Sequence, residues 1–288
     1  MKIGVVGVKG GWSSELLAET VEKRTGYGLL VEMDKVRLDL DAETAYLNGL
    51  DLRELDALII KKIGARYSPD LMDRLETLRF LNRQGLPMFS APENIMRVLD
   101  RLSCTVGLRL AGIPMPPTTI TESVDQALTA VEKYEEAVFK PLYTSKARGM
   151  TVISAGEGAR EKIAEYRSNH KTMYIQKTID LGPQDLGLVF LGGEYLTTYA
   201  RRKQIGEWNT TTASGGKYGA FTPSDGVIAL AKKAQEPFGL DFTCVDVALT
   251  PDGPMVFEVS AFGGFRGIQE ACGMDAASLY VDFVLKRL

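Results

Sequence analysis

In residues 1–94, short apolar runs alternate with segments of helical length, and this alternation constrains the fold more than any other feature of the sequence. The predicted strands are 2–8, 28–33, 57–61 and 86–89, and the predicted helices are 14–23 and 69–84. Short apolar runs bounded by glycine or polar residues are typical of buried strands. Strands that alternate with helices favour a small α/β domain with a mostly parallel sheet.

The rest of the chain predicts two further lobes, each containing both helices and strands. The predicted helices are 95–111, 123–133, 157–168, 224–237 and 275–287, and the predicted strands are 136–140, 150–154, 172–179, 185–191, 194–200, 242–249 and 255–260. The proline-rich stretch 113–118 cannot be helical and predicts a rigid linker or edge segment. We therefore predict an N-terminal domain over 1–94, a central lobe over 95–179 with a linker at 112–118, and a C-terminal lobe over 180–288.

The charge of the chain argues against nucleic acid as a partner. The formal net charge is −3, so the protein lacks the basic field that holds a nucleic-acid backbone. The N-terminus begins directly as a strand rather than as a signal peptide, and no apolar run approaches the roughly 20 residues of a membrane helix. We expect a cytoplasmic protein without a membrane partner.

Histidine and cysteine usage narrows the chemistry. His170 is the only histidine, so a His-based metal site or a Ser-His-Asp triad is not expected. The three cysteines, Cys104, Cys244 and Cys272, lie far apart in apolar surroundings and are predicted to be buried side chains. Any metal must then be held by oxygen ligands, which favours Mg²⁺ or Mn²⁺.

Two carboxylates occupy the last predicted hairpin. Asp246 and Glu258 each lie six residues from Asp252 in the connecting turn, so we expect them opposite each other on one face of the sheet. Ser260 points to the same face. Two facing carboxylates repel, and a divalent cation between them is the simplest compensation. The alternative is that one acid faces solvent or pairs with a lysine.

Lys140 closes an apolar strand and precedes the loop 141–149. A lysine in this position suits a cation that reaches a phosphate, and a solvent-facing strand end is the alternative. Lys146 and Arg148 add charge to the loop, although its single glycine is a weak signal for a phosphate site.

The glycines at 7–11 follow the first strand but match neither the P-loop nor the dinucleotide-binding spacing. We interpret this segment as a tight turn that still lies at the carboxyl end of a parallel strand, where open α/β sheets bind ligands.

Taken together, Asp246, Glu258-Val259-Ser260, Lys140 with its loop, and the segment 174–179 resemble the ATP-grasp superfamily in order and spacing. The likeness is greatest to the RimK-type alpha-L-glutamate ligases and covers nearly the whole chain. This resemblance implies an ATP-grasp fold preceded by a parallel-sheet domain, and an ATP-dependent ligase.

The resemblance also implies roles for individual residues. ATP would be bound by Arg101, Lys140, Lys146, Gln176, Lys177, Thr178, Ile179, Asp185, Asn209 and Thr211. Lys140 and Arg101 would contact phosphates, the backbone of 176–179 would contact the adenine edge, and Asp185 would lie near the ribose. Asp246, Glu258 and Ser260 would bind Mg²⁺ or Mn²⁺, with Ser260 in place of the family's asparagine.

Two departures from the family pattern remove positive charge near the phosphates. The D-x-R motif becomes Asp185-Leu186-Gly187, and the R-x-N motif becomes Asn209-Thr210-Thr211. Arg201, Arg202 and Arg266 are candidate replacements, and we expect Arg202 and Arg266 to take the catalytic role; the alternative is that they are surface arginines.

The resemblance implies that a carboxylate attacks the γ-phosphate of ATP and that an amine then displaces phosphate from the acyl phosphate. The expected partners are ATP and an unidentified carboxylate–amine pair, an amino acid with a peptide, protein or small molecule, in a possible homo-oligomer. Lys61 and Lys62 are candidates for contact with an anionic substrate. A nucleotide-binding protein without catalysis and a kinase remain alternatives.

Overall fold

The computed structural model describes residues 1–145, 147–204, 210 and 215–288. The strands are β1 (Ile3–Val6), β2 (Leu30–Val31), β3 (Val36–Asp39), β4 (Thr44–Leu47), β5 (Leu50–Asp51), β6 (Ala57–Ile60), β7 (Met88–Phe89), β8 (Thr118–Thr121), β9 (Glu136–Lys140), β10 (Thr151–Ser154), β11 (Met173–Lys177), β12 (Gln184–Leu191), β13 (Glu194–Arg202), β14 (Lys217–Ala220), β15 (Phe242–Thr250) and β16 (Gly253–Ser260). The helices are α1 (Trp12–Thr25), α2 (Asp70–Arg83), α3 (Pro92–Leu99), α4 (Arg101–Leu110), α5 (Val124–Tyr134), α6 (Ala159–Asn169), α7 (Asp225–Gln235), α8 (Phe265–Cys272) and α9 (Ala276–Leu285).

The N-terminal domain is built on a four-stranded parallel sheet in the order β2-β1-β6-β7. All four residues of β1 and of β6 are buried, which explains why both strands read as continuous apolar runs. The predicted α/β fold with a parallel sheet at the N-terminus is confirmed.

A small antiparallel sheet, β3-β4-β5, was not predicted. Its strands are two to four residues long, too short to show a clear alternation of apolar residues. One signal was available, because Asn48-Gly49 joins β4 to β5 with positive φ at both residues. An Asn-Gly pair is the usual sequence of such a two-residue hairpin turn.

The single helix predicted over 95–111 is wrong, because the chain forms two helices that are separated at Asp100. Asp100 has an extended backbone, and its carboxylate accepts hydrogen bonds from the Ser103 amide at 2.9 Å and the Ser103 hydroxyl at 2.6 Å. Asp100 therefore caps the N-terminus of α4. Because the backbone is extended at Asp100, the second helix, α4, begins at Arg101.

The central lobe has a four-stranded antiparallel sheet in the order β10-β9-β11-β8, with α5 and α6 packed against it. Its apolar side chains form a cluster of their own, which includes Phe139, Ile163 and Ile175. Strand β8 begins at the last residue of the predicted linker or edge segment, and its other three residues were not predicted; it is an edge strand that pairs with β11.

The C-terminal lobe is a five-stranded antiparallel sheet in the order β14-β13-β12-β15-β16. One face packs against α7, and the other joins a cluster that includes α1, α9 and residues of the parallel sheet. The N-terminal domain and the C-terminal lobe therefore share a buried core. Strand β14 and helix α8 were not predicted.

The predicted boundaries at 94/95 and 179/180 are untested and remain predictions. No helix in the described residues is long and apolar enough to cross a membrane.

Replacing Asp100 with alanine should destabilise the fold, because the cap of α4 is lost. We expect a loss of about 1 kcal/mol in the free energy of unfolding, measured by urea denaturation. Glu19→Ala, an exposed change in the middle of α1, serves as the control and should be nearly neutral. Equal midpoints for the two variants would contradict the capping role.

Candidate active site

The two carboxylates of the last hairpin lie opposite each other. Asp246 pairs with Glu258 and Cys244 pairs with Ser260 in the β15–β16 register. The turn is a two-residue loop between Thr250 and Gly253, and a bulge adds one residue to β16 between Val256 and Glu258. This extra residue, Phe257, restores the pairing that the sequence predicted. Without it, Glu258 would lie opposite Val245 and point to the other face.

Arg201 on β13 joins this face of the sheet to a third carboxylate. Its guanidinium bonds Asp185 on β12, with Nε at 3.1 and 3.2 Å from the two carboxylate oxygens and Nη2 in closer contact. The same Nη2 lies 3.0 Å from Oδ2 of Asp246. All three side chains are largely buried, with 19%, 14% and 26% of the side chain exposed for Arg201, Asp185 and Asp246.

The environment of Asp246 disfavours its charged form. The pKa of this carboxyl is raised to about 6, chiefly by burial; Arg201 lowers it, and the nearby carboxylates of Asp185 and Glu258 add to the rise. Arg201 is thus the main described source of positive charge at this carboxylate.

Tyr199 explains why position 187 is glycine rather than the arginine of the family motif. A Cβ atom on Gly187 would lie 2.5 Å from Cζ of Tyr199 and 2.7 Å from its hydroxyl. The Tyr199 side chain is buried and its hydroxyl contacts Cys244 at 3.4 Å. No larger side chain fits at position 187 while this ring stays in place. The cation that the motif lacks at 187 is present at 201.

Arg101 at the start of α4 connects Glu258 to the loop that follows β9. Its Nη1 lies 3.7 Å from Glu258, and its Nε and Nη2 donate to the carbonyls of Pro141 and Thr144 at 3.3 and 3.4 Å. Only 9% of the Arg101 side chain is exposed, compared with 41% for Glu258. Arg101 therefore positions the loop, while Glu258 remains accessible.

Lys140, the last residue of β9, lies close to the same hairpin. Its ammonium donates to Oε1 of Gln176 and lies 5.4 Å from the centroid of the Phe257 ring. The pKa of this ammonium is lowered to about 7, chiefly by burial and also by the nearby charge of Arg101, while Glu258 acts in the opposite direction. An added phosphate would favour the charged ammonium.

Gln176 holds Lys140 from a buried position. Its amide nitrogen donates to the hydroxyls of Thr118 at 3.1 Å and Tyr174 at 3.3 Å. The side chain is 2% exposed, so it orients Lys140 and does not face a ligand directly.

Strand β11 ends at Lys177, and the segment that follows it leads into the C-terminal lobe. The amides of Lys177 and Thr178 donate to the carbonyls of Pro117 and Glu136 at 2.9 and 3.1 Å. The Thr178 hydroxyl is buried and has no hydrogen-bond partner within the described part of the chain. An unpaired buried hydroxyl is costly, so a polar group of a ligand would fit here.

The remaining candidates are distributed differently. Arg202 follows Arg201 on β13, so its side chain leaves from the opposite face of the sheet. Arg266 on α8 lies over the Trp12 ring at 5.4 Å and 3.9 Å from Glu270, at the junction with the N-terminal domain.

The Ser260 hydroxyl accepts a hydrogen bond from the Phe262 amide at 3.2 Å. Lys146, Asn209 and Thr211 lie outside the described residues.

The N-terminal domain contributes a residue that sequence reasoning missed. Tyr67, in the loop after β6, lines a small cleft together with Arg101, Thr144, Phe257 and Glu258. Nothing in the local sequence pattern indicates this contact, because it joins segments that are far apart along the chain.

Lys61 is buried rather than exposed to a substrate. It is 4% exposed, its ammonium donates to the Gly263 carbonyl, and it lies 3.7 Å from the centroid of the Phe265 ring. Burial lowers its pKa to about 7. Lys61 therefore joins the N-terminal domain to the start of α8.

The donor set fits a magnesium ion that arrives with a nucleotide. No group of three or more histidine, cysteine, aspartate or glutamate side chains is arranged to hold a metal within the described ranges. Asp246 and Glu258 offer oxygen ligands from one face of the hairpin. Mg²⁺ is commonly bound by one or two carboxylates together with substrate phosphates.

Comparison with known proteins identifies the same family over most of the chain. Residues 98–284 match the model of the RimK-like ATP-grasp domain. The chain is 25% identical to the tetrahydromethanopterin:alpha-L-glutamate ligase of Methanocaldococcus jannaschii, over 99% of each chain.

Solved structures show the same fold. The RimK domain ATP-grasp protein from Sphaerobacter thermophilus has a TM-score of 0.74 and 22% identity, over 99% of this chain and 100% of that one. The ATP-grasp ligase PsnB, complexed with minimal precursor, Mg and ADP, has a TM-score of 0.73 and 17% identity, over 99% and 96%. The predicted ATP-grasp fold is confirmed.

Replacing Gly187 with alanine should destabilise the C-terminal lobe, because the new methyl group meets the buried Tyr199 ring. We expect a loss of about 1–3 kcal/mol, as is typical of overpacking. Gly226→Ala in α7 is the matched control, since its only neighbour within 4 Å is the Ser224 hydroxyl at 4.0 Å. Thermal unfolding of both variants compares them, and a neutral Gly187→Ala variant would show that the ring is free to move.

Lys61 should make stability depend on pH in the alkaline range. The folded pKa of about 7 lies below the ordinary value of 10.5, so between these values only the unfolded chain holds the proton, and stability rises with pH. We expect wild type to gain about 1–2 kcal/mol relative to Lys61→Met between pH 7 and pH 9. Urea denaturation of both proteins at pH 7 and at pH 9 gives this difference. The cysteine thiols titrate in both proteins, so their contribution cancels when the two are compared. A constant difference would contradict the lowered pKa.

Proposed function

The chain belongs to the RimK-like ATP-grasp family, and we propose that it joins a carboxylate to an amine at the expense of ATP. The observation that carries the proposal is the facing pair of Asp246 and Glu258, with Arg201, Arg101 and Lys140 around it. Two carboxylates and three cations at the junction of two lobes are suited to binding a metal–polyphosphate complex.

ATP would lie between the central and C-terminal lobes. Lys140 and Arg101 are the proposed phosphate contacts, because both border the loop after β9 and both face Glu258. The base would lie against the segment 176–179, where the Thr178 hydroxyl lacks a partner among the described residues. Both carboxylate oxygens of Asp185 accept hydrogen bonds from Arg201, so a ribose hydroxyl that contacts Asp185 would have to share one of these oxygens with Arg201.

Asp246 and Glu258 are the proposed ligands of Mg²⁺, with Ser260 as a further oxygen on the same face. Mn²⁺ has the same ligand preference and would be an alternative. The presence of Mg and ADP in the PsnB complex supports this assignment. Bound Mg²⁺ would neutralise phosphate charge and orient the γ-phosphate.

The proposed reaction has two steps. A substrate carboxylate oxygen attacks the γ-phosphorus, the bond to the β–γ bridging oxygen breaks, and ADP leaves. The neutral amine then attacks the acyl carbon, phosphate leaves, and the amine proton passes to solvent. Arg101, Lys140 and Arg201 would stabilise the charge that moves onto phosphate oxygens. No covalent enzyme intermediate is required.

The substrates are proposed only as classes. The Methanocaldococcus jannaschii relative is named for tetrahydromethanopterin and alpha-L-glutamate, and the PsnB complexes contain a minimal precursor or a precursor peptide. We therefore propose that an amino acid or an acidic side chain provides one partner, and that the reaction takes place in the cytoplasm, where ATP is available. A homo-oligomer is also compatible with this proposal.

One observation favours a second candidate, a nucleotide-binding protein without catalysis. Arg201 already neutralises Asp246 without any metal. The accessible Glu258 and the nearby Lys140 support a Mg-ATP site, which both candidates need, so turnover and not binding distinguishes the two functions.

Calorimetric titration of Mg-ATP tests the site. Wild type should bind Mg-ATP, and Glu258→Gln should weaken binding by about tenfold, which corresponds to about 1.4 kcal/mol. Asp252→Asn is the matched control, because it removes an exposed carboxylate at the tip of the same hairpin. ADP release in the presence of amino acids and short peptides then tests ligation.

The outcomes separate the candidates. ADP release that requires both an acid and an amine, with amide detected by mass spectrometry, supports the ligase. Binding without turnover over a broad substrate panel would select the nucleotide-binding protein. If wild type binds no nucleotide, both functions are excluded.

A further inference from the structure

Arg201 is paired with Asp246, one of the two proposed metal ligands. Its Nη2 lies 3.0 Å from Oδ2 of Asp246, and the other carboxylate oxygen, Oδ1, faces the Cys244 sulfur at 3.8 Å. The Asp246 carboxylate is therefore held by a cation of the chain itself.

The position of Arg201 is built into the fold. Asp185 binds the guanidinium through Nε and Nη2, and the guanidinium carbon lies 6.0 Å from the centroid of the buried Tyr199 ring. Because Asp185 and Asp246 hold the group from two strands, Arg201 cannot leave Asp246 without breaking a buried ion pair. A buried ion pair is costly to disrupt when one partner is left behind.

We propose that Arg201 is a resident cation that keeps Asp246 from binding free Mg²⁺, so that the metal enters only together with ATP phosphates. The inference rests on the proposed function, since it concerns the same site. It assigns to Arg201 a positioning role: the residue sets the order in which metal and nucleotide bind.

The physical reason is repulsion between two cations that share one carboxylate. A Mg²⁺ ion on Asp246 would face the guanidinium across a largely buried site, where charges are weakly screened. Polyphosphate between the two cations removes this repulsion, because each cation can then bind phosphate oxygens. The metal site is complete only when the nucleotide is present.

Arg101 does not have the same effect on Glu258. The closest approach is 3.7 Å, the carboxylate is 41% exposed, and the guanidinium also donates to two backbone carbonyls. Glu258 therefore remains open to the metal, and control of free metal binding lies with Arg201.

Binding of Mn²⁺ to the nucleotide-free protein tests this inference, with the loss of the free-ion signal in electron paramagnetic resonance as the readout. Arg201→Met, which has a long uncharged side chain, should bind Mn²⁺ at least about tenfold more tightly than wild type, or about 1.4 kcal/mol. With a non-hydrolysable ATP analogue at saturation this gain should disappear, because Arg201 of wild type then binds phosphate oxygens, and Arg201→Met should bind Mn²⁺ no more tightly than wild type.

Two further variants keep the test decisive. Arg201→Met leaves Asp185 unpaired, so the double variant Arg201→Met/Asp185→Asn removes the cation and one carboxylate together and should also bind free Mn²⁺ more tightly. Arg202→Met removes the same charge from the opposite face of β13, and its affinity for free Mn²⁺ should stay close to that of wild type. Circular dichroism confirms that each variant is folded.

Equal affinities of wild type and both Arg201 variants for free Mn²⁺ would overturn the inference, even if Mn-ATP still binds. An equal gain in affinity for free Mn²⁺ in Arg202→Met would also overturn the inference. The gain would then come from the loss of one positive charge in general and not from the loss of the contact with Asp246. Absence of Mn-ATP binding by wild type would instead overturn the proposed function.

Discussion

The pairing of Asp246 with Glu258 across the β15–β16 hairpin is the constraint on which the rest of the site depends. The bulge at Phe257 sets it, because one extra residue in β16 brings Glu258 back to the face that Asp246 occupies. Two facing carboxylates repel, so the fold must supply positive charge. Arg201 supplies it at Asp246 and Arg101 supplies it near Glu258.

These two arginines reach the hairpin from different parts of the chain. Arg201 comes from the same sheet, where β12 separates its strand from β15, and Arg101 comes from the first residue of α4. The cap at Asp100 ends one helix and begins the next, and so sets where Arg101 starts. Lys140 approaches the hairpin from the central lobe, and Tyr67 lines the cleft beside Glu258 from the N-terminal domain. The site is therefore assembled where three parts of the chain meet.

Replacement of the motif arginine shows how packing and charge are coupled in this sheet. The ring of Tyr199 fills the space above Gly187, which excludes a side chain there. Two residues after Tyr199, on the same face of β13, Arg201 provides the charge instead. The cation that contacts Asp185 and Asp246 therefore comes from position 201 on β13 and not from position 187 on β12.

Much of this protein is determined by local sequence. The parallel strands β1 and β6 and the strand that ends at Lys140 were predictable, because periodicity and turn residues are local signals. The sequence also predicted that Asp246 and Glu258 face each other, but their pairing depends on the bulge at Phe257, which no local signal indicated. The sequence named Arg201 as a candidate but favoured Arg202 and Arg266. Only the tertiary structure decided that Arg201 faces Asp246, that Lys61 is buried, and that Tyr67 reaches the cleft. These contacts depend on which sheet face each side chain takes and on how distant segments pack, and neither is encoded in a local pattern.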